Sequence, residues 1–236
     1  MSELCVLPPR LSVIAKMASP CNTLADIGTD HAHLPIYMIQ QNMCQRAFAC
    51  DVNDGPLQRA RSAVEQFCLA ESVFLVKSDG LHSVPEEYDA LVIAGMGGDL
   101  ISRILYEHPP RCAQRLILQP MTKPEVLRKF LFRHGYSIVE ERAVSEGEKR
   151  YIIFSVRAVP CKSFSEIDCH LPVNLQCTPD ALDYLEKLLN SHQRRLLGLR
   201  RAEVCDAEAI VFEEELSRRL NGMWQAVSRR LYDETH

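Results

Sequence analysis

The sequence lacks several features that would settle its class at once. No stretch approaches the ~18 consecutive apolar residues of a membrane span. The amino terminus has no basic segment followed by an apolar one, so neither an anchor nor a secretory leader is expected. The ten cysteines include no C-x-x-C pair, and Cys161, Cys169 and Cys177 lie eight residues apart, which argues against a zinc site or any other metal. Cysteines in apolar surroundings, such as Cys50 and Cys68, behave as small hydrophobes. With no leader, they point to reduced thiols and a cytoplasmic protein. Neither sign of charge dominates: the net charge is −4, made of −1 in residues 1–160 and −3 in residues 161–236. A nucleic-acid partner would therefore have to be met by local basic patches.

What is present is an alternation of short apolar strands and helical stretches. Strands are expected at Thr23–Ile27, residues 47–51, Val73–Lys77, residues 90–94 and residues 115–118, each bounded by Gly, Asp, Asn or Pro. Such runs suit strands buried on both faces of a parallel sheet. Helical patterns at residues 56–68 and 99–107 complete an α/β doubly wound domain. A further helix at residues 123–134, closed by Gly135, precedes two strands at residues 136–141 and 150–156, eight residues apart, which can pair as an antiparallel hairpin. A mostly parallel seven-stranded sheet finished by such a hairpin is the class I, Rossmann-like methyltransferase arrangement. The domain is expected to span residues 1–160, and residues 161–236 a linker plus helices. Residues 159–177 show no sustained period. Thr178-Pro179-Asp180 then starts a helix, with Thr as cap and Pro at the first position. Leu182, Leu185, Leu189, His192, Leu196 and Leu199 follow at spacings of three and four, as in a heptad seam. A second stripe runs through Phe212, Leu216, Leu220, Met223, Val227 and Leu231, and the two helices are expected to form an antiparallel coiled-coil arm.

The chemistry gathers at strand ends. Asp26-Ile27-Gly28-Thr29-Asp30-His31 closes the first strand with an acid, turns on a glycine and enters a loop with a second acid. Gly28 permits close backbone approach of a ligand. Asp51, 25 residues after Asp26, is placed to accept bonds from ribose hydroxyls. Asp79, in Ser78-Asp79-Gly80, suits the exocyclic amine of an adenine. The first loop has one glycine where a pyrophosphate cradle uses three, which disfavours NAD and FAD. Asp26 and Asp30 suit instead a ligand bearing an ammonium and a sulfonium, S-adenosylmethionine. Ala94-Gly95-Met96-Gly97-Gly98 lets backbone pass close to the ligand or the reacting base. Pro120 is expected to end the fifth strand, with Gln119 facing the substrate. His31 and His33 read as polar lining of the pocket mouth rather than metal ligands. Arg doublets at 194–195, 200–201, 218–219 and 229–230 form one candidate RNA patch, and Arg111, Arg115, Lys123, Arg128, Lys129 and Arg133 a second on the catalytic side of the sheet.

In order and spacing, Asp26-Ile27-Gly28-Thr29-Asp30-His31-Ala32, Asp51-Val52-Asn53, Asp79-Gly80-Leu81, Ala94-Gly95-Met96-Gly97-Gly98 and Gln119-Pro120 resemble the bacterial TrmK family, tRNA (adenine(22)-N1)-methyltransferases. The likeness covers about residues 4–157. It implies methyl transfer from S-adenosylmethionine to N1 of a tRNA adenine by a monomer. It further implies Asp30 as the catalytic acid and Arg10, Asp26, Gly28, Thr29, His31, Asp51, Val52, Asp79, Gly80, Ala94, Gly95 and Met96 around the cofactor. Gln119, Pro120 and Arg128 would meet the substrate. Three positions depart from the family's pattern: His33 for Tyr, Met121 for Asn, and Leu7-Pro8-Pro9-Arg10-Leu11 for Leu-Ser-x-Arg-Leu. A methyltransferase acting on another RNA site or on a small molecule, and a non-enzymatic RNA-binding relative, remain alternatives.

Overall fold

A computed structural model describes residues 4–110, 114–160, 163–202, 204 and 206–235. Seven strands form one sheet in the order β3-β2-β1-β4-β5-β7-β6. They are β1 (Thr23–Ile27), β2 (Arg46–Asp51), β3 (Val73–Lys77), β4 (Ala90–Gly97), β5 (Arg115–Thr122), β6 (Ser137–Glu146) and β7 (Lys149–Arg157). The first five are parallel, and β7 runs antiparallel to both β5 and β6. Helices cover both faces. On one side lie α1 (Pro9–Ala18), α2 (His33–Gln40) and α3 (Asp54–Gln66). On the other lie α4 (Gly98–Glu107), α5 (Pro124–Arg133) and the start of α7 (Pro179–Arg201).

This double cover explains why the central strands are largely apolar. Leu91 and Ile93 of β4 point into one core, and Ala90 and Val92 into the other. Strand side chains alternate between faces, so a strand buried on both sides has no polar phase. The chain reverses its strand order between β1 and β4, which opens a crevice at the carboxyl edge of the sheet.

Strands β4, β5 and β6 each run several residues past the sequence reading. β4 continues through Gly95-Met96-Gly97, and β5 continues through Gln119-Pro120-Met121-Thr122. The extensions pair with each other, Ala94 beside Gln119, Met96 beside Pro120 and Gly97 beside Thr122, with register shifts around Met96. Pro120 therefore does not terminate its strand. It is tolerated because the ladder is already irregular there. The β6–β7 connection is also shorter than expected. Glu146 pairs with Lys149, leaving Gly147-Glu148 as the turn, with Gly147 at φ +56°.

Residues 159–177 hold a short helix, α6 (Glu166–His170), opened by a capping box between Ser165 and Asp168. α7 starts as expected: the Thr178 side chain accepts from the Ala181 N–H at 3.2 Å, and proline occupies the first turn. α8 (Ala207–Thr235) packs back along α7 around Leu171, Leu185, Leu216 and Leu220. His192 bonds Glu213 and the Cys177 thiol meets the Val227 carbonyl, so the two helices run antiparallel. The base of α7 is also tied to the sheet, because Ala181 and Tyr184 belong to its core.

Candidate active site

The loop after β1 is held by its backbone. The Gly28 and Thr29 N–H groups both donate to the Cys50 carbonyl, at 2.8 and 2.9 Å. Gly28 has φ +81°, a conformation that favours glycine, and a Cβ there would lie 2.2 Å from the Met96 methyl, so the flexible end of Met96 would have to move aside. A cleft of about 130 Å³ lies beside it, lined by Gly28, Asp51, Val52, Asp79, Gly80 and Met96, with Leu100, Arg103 and Ile104 of α4 forming the wall. Six residues expected at the cofactor thus meet in one place. The α4 wall was not foreseen, although residues 100, 103 and 104 share one helical stripe. One oxygen of Asp51 accepts the Asn53 N–H at 2.8 Å, which fixes the carboxylate at the end of β2.

Asp26 is buried at the head of this loop. Burial pushes its carboxyl up to about 6, against the Thr29 bond that lowers it, and the charge of Asp51 adds to the rise. A buried acid this poorly compensated favours a cationic neighbour.

A second arrangement joins the two glycine-rich and proline-bearing strand ends. Gln119 is fully buried. Its Oε1 accepts from the Gly95 N–H at 3.1 Å and from Arg10 Nη1 at 2.7 Å, while its Nε2 donates to the Pro120 carbonyl at 2.9 Å. Arg10 is positioned from α1 by its own N–H to Glu146, at 2.6 Å, and by the ring of Tyr151, 5.4 Å from its guanidinium carbon. Among the described residues its Nε is buried without a hydrogen-bond partner. An orphaned guanidinium donor at the carboxyl edge of the sheet suits a carboxylate ligand.

The third arrangement lies at the rim. Asp30 Oδ1 accepts from Arg59 Nε at 3.1 Å and from Arg59 Nη2, and its Oδ2 lies 3.5 Å from His31 Nε2. The Arg59 guanidinium holds the Asp30 carboxyl below the usual carboxylate range. His31 and His33 stack with ring centroids 5.2 Å apart, because Ala32 between them adopts φ +53°. Burial lowers the His33 pKa, and the neighbouring His31 adds to this.

These features were compared with known proteins. A family model described as a methyltransferase domain matches residues 7–154. The chain is 35% identical over 161 residues to the tRNA (adenine(22)-N(1))-methyltransferase of Bacillus subtilis (strain 168), covering 67% of each. The chain belongs to the TrmK family of methyltransferases. Its fold matches that of M. capricolum TrmK in complex with S-adenosyl-homocysteine, with a TM-score of 0.74 and 27% identity over 94% of this chain and 98% of that one. It likewise matches Streptococcus pneumoniae Sp1610 in complex with S-adenosyl-L-methionine, with a TM-score of 0.75 and 31% identity over 91% and 99% of the two chains.

Not every expected contact survives. Arg128, expected at the substrate, is enclosed between α5, β6 and α6: both oxygens of Glu141 accept from it at 2.8 Å, and the Cys169 carbonyl at 3.3 Å. Its side chain is 1% exposed, so no RNA reaches it. Leu127, Arg128 and Leu131 are the buried residues of α5, and this shared stripe was a signal available in the sequence. Gln119 and Pro120 are also buried, and the exposed side chains at that strand end are Met121 and Thr122. The second basic patch disperses. Arg115 starts β5, at the opposite edge of the sheet, and caps the Ala18 and Ser19 carbonyls at 3.1 and 2.8 Å. Lys123 pairs with Asp99 and Lys129 with Glu166. Arg111 and Cys161 lie outside the described residues. Four of the arm's eight doublet arginines are likewise engaged, Arg195 with Glu213, Arg200 with Glu214, Arg218 with Glu215 and Arg219 with Asp168. Arg59 was missed altogether. Among the described residues no group of three or more His, Cys, Asp or Glu is arranged to hold a metal ion, and no helix is long and apolar enough to cross a membrane.

Proposed function

We propose that this chain transfers a methyl group from S-adenosylmethionine to N1 of an adenine in tRNA, adenine 22 by its kinship. The observation that carries this reading is the meeting of three complementary groups on one sheet edge. They are a glycine-floored cleft with Asp51 and Asp79, a buried acid at Asp26, and an orphaned Arg10 donor. Asp51 would take the ribose hydroxyls and Asp79 or the Gly80 backbone the adenine edge. Arg10 would take the methionine carboxylate and Asp26 the ammonium. Thr29, Val52, Ala94, Gly95 and Met96 would frame the cofactor, and His31 the mouth. When bound, the cofactor supplies a methyl group made electrophilic by its sulfonium.

The remaining steps belong to the protein. Neutral adenine already carries a lone pair on N1, so no strong base is needed to create the nucleophile, and catalysis is chiefly positioning. Methylation leaves positive charge on the ring. Asp30, exposed and held ionised by Arg59, would accept a bond from the exocyclic amine and offset that charge. The base must be unpaired and unstacked to present N1. On the same reading, residues 1–160 are the catalytic domain, residues 161–236 a helical appendage, and the protein acts as a metal-free monomer in the cytoplasm.

Incubating the protein with S-adenosylmethionine and unmodified tRNA, then digesting the tRNA for nucleoside mass spectrometry, tests the reading. N1-methyladenosine is expected, and its absence with well-folded protein contradicts the assignment.

A further inference from the structure

Beside Asp30 the surface opens into a second, larger cavity of about 590 Å³. It runs from the rim loop along α3, between His31, His33 and Arg59 at one end and Phe67 at the other, with Ser62 in its wall. That volume suits a ligand of nucleotide size. We propose that this groove holds the tRNA nucleotide that flanks the target adenine, a reading that rests on the proposed methylation of tRNA.

Four observations point to that occupant. The groove is continuous with the candidate active site, since His31 and Arg59 belong to both. It offers flat rings: the stacked imidazoles of His31 and His33 at one end and the half-buried Phe67 at the other. Bases splayed from an RNA strand stack on such rings. Among the described residues its lining carries Arg59 and two histidines and no carboxylate, and the adjacent Asp30 is already bonded to Arg59. Arg59 commits Nε and Nη2 to Asp30. A guanidinium has five N–H donors, so it retains others for a phosphate. The outer rim is apolar and open, with Leu4 63% and Val6 84% exposed, which suits a partner that covers it. Arg59 then serves twice: it orients Asp30 and ties it to the backbone of the strand that carries the target.

Ser62 is an exposed position on α3 inside the groove and touches none of the groups assigned to the cofactor. Ser62→Trp fills the groove and Ser62→Glu places a negative charge where the nucleotide would lie. Ala70→Glu adds the same charge on an exposed residue outside the groove. Steady-state methylation of tRNA, calorimetry with S-adenosylmethionine, and thermal melting are measured for each. Both Ser62 variants are expected to raise the KM for tRNA at least tenfold, with kcat and cofactor affinity within twofold of the parent protein, and Ala70→Glu to leave the KM unchanged. If Ser62→Trp melts early, Ser62→Glu at an exposed helical site still gives the answer. An unchanged KM in a folded Ser62 variant, or an equal rise in Ala70→Glu, overturns the groove and leaves tRNA methylation standing. A parent protein that methylates no tRNA overturns both.

Discussion

Two arginine–carboxylate pairs, built from the same chemical groups, do opposite work in this molecule. Arg128 and Glu141 are 1% and 0% exposed, whereas Arg59 and Asp30 are 48% and 63% exposed. Around Arg128 every direction is filled: Glu141, the Cys169 carbonyl, and the ring of Phe154 at 4.9 Å. Burial works against the Arg128 charge, and the coulombic pull of Glu141 and its hydrogen bonds outweigh it. The pair fastens the segment after the sheet to α5 and β6 and has nothing left to offer a ligand. Asp30 keeps one face toward solvent, and its partner tunes and aims it. Motif reading picked out Arg128 as the RNA contact and passed over Arg59. Burial separates them.

Breaking the buried pair should have the largest effect. Arg128→Ala leaves Glu141 charged and unpaired in the core and is expected to cost about 3–5 kcal/mol, read by urea denaturation. Arg128→Met with Glu141→Leu should recover most of that loss. A loss below about 1 kcal/mol for Arg128→Ala would erase the contrast with the rim.

Asp26 sharpens the comparison as a buried acid with no cationic partner among the described residues. Its carboxyl is raised to about 6 in the folded protein. The unfolded chain releases that proton at about 3.9. Native stability should therefore fall as pH rises from about 4 to about 6 and stay flat above, by about 3 kcal/mol in all. Asp26→Asn should remove that slope and melt higher at neutral pH. An ammonium-bearing cofactor prefers the ionised acid, so its affinity should tighten as pH rises through about 6, and the same variant should flatten that rise. Calorimetric titrations between pH 5 and pH 8 read both.

The exposed pair should barely register in stability. Arg59→Gln is expected to change unfolding free energy by no more than about 1 kcal/mol. Its effect belongs to the pH profile. Asp30 is held below the usual carboxylate range by Arg59, so activity should persist on the acid side until pH falls through that lowered value. Without Arg59 the acid limb should move up toward about 4. An unmoved limb would mean that Arg59 does not govern Asp30.

The sheet was legible where short, mostly apolar runs are bounded by turn residues. β1 and β3 match their expected spans to the residue on that signal alone, although β1 is wholly buried and β3 is a partly exposed edge strand. β4 and β5 were cut short because Gly95-Met96-Gly97 and Gln119-Pro120 carry no apolar pattern, and only their pairing with each other makes them strand. α1 and α2 escaped, one behind paired prolines and the other ten residues or fewer of mostly apolar sequence. The seam positions of α7 and the stripe of α8 are all at least partly shielded, as periodicity dictates, alongside off-seam residues such as Tyr184 and Glu213. Within the site, residues that close a strand could be read from motif and order. Arg59 could not, since its link to Asp30 spans 29 residues and follows only from the packing of α3 beside the first loop.

The central claim is that Asp30 serves the reacting base while the cleft holds the cofactor. It is tested most directly by measuring both functions in Asp30→Ala: N1-methyladenosine formed in tRNA, and S-adenosylmethionine affinity by calorimetry. Transfer should fall at least a hundredfold with affinity within threefold of the parent protein. An equal loss of both would contradict the claim and make Asp30 a cofactor ligand.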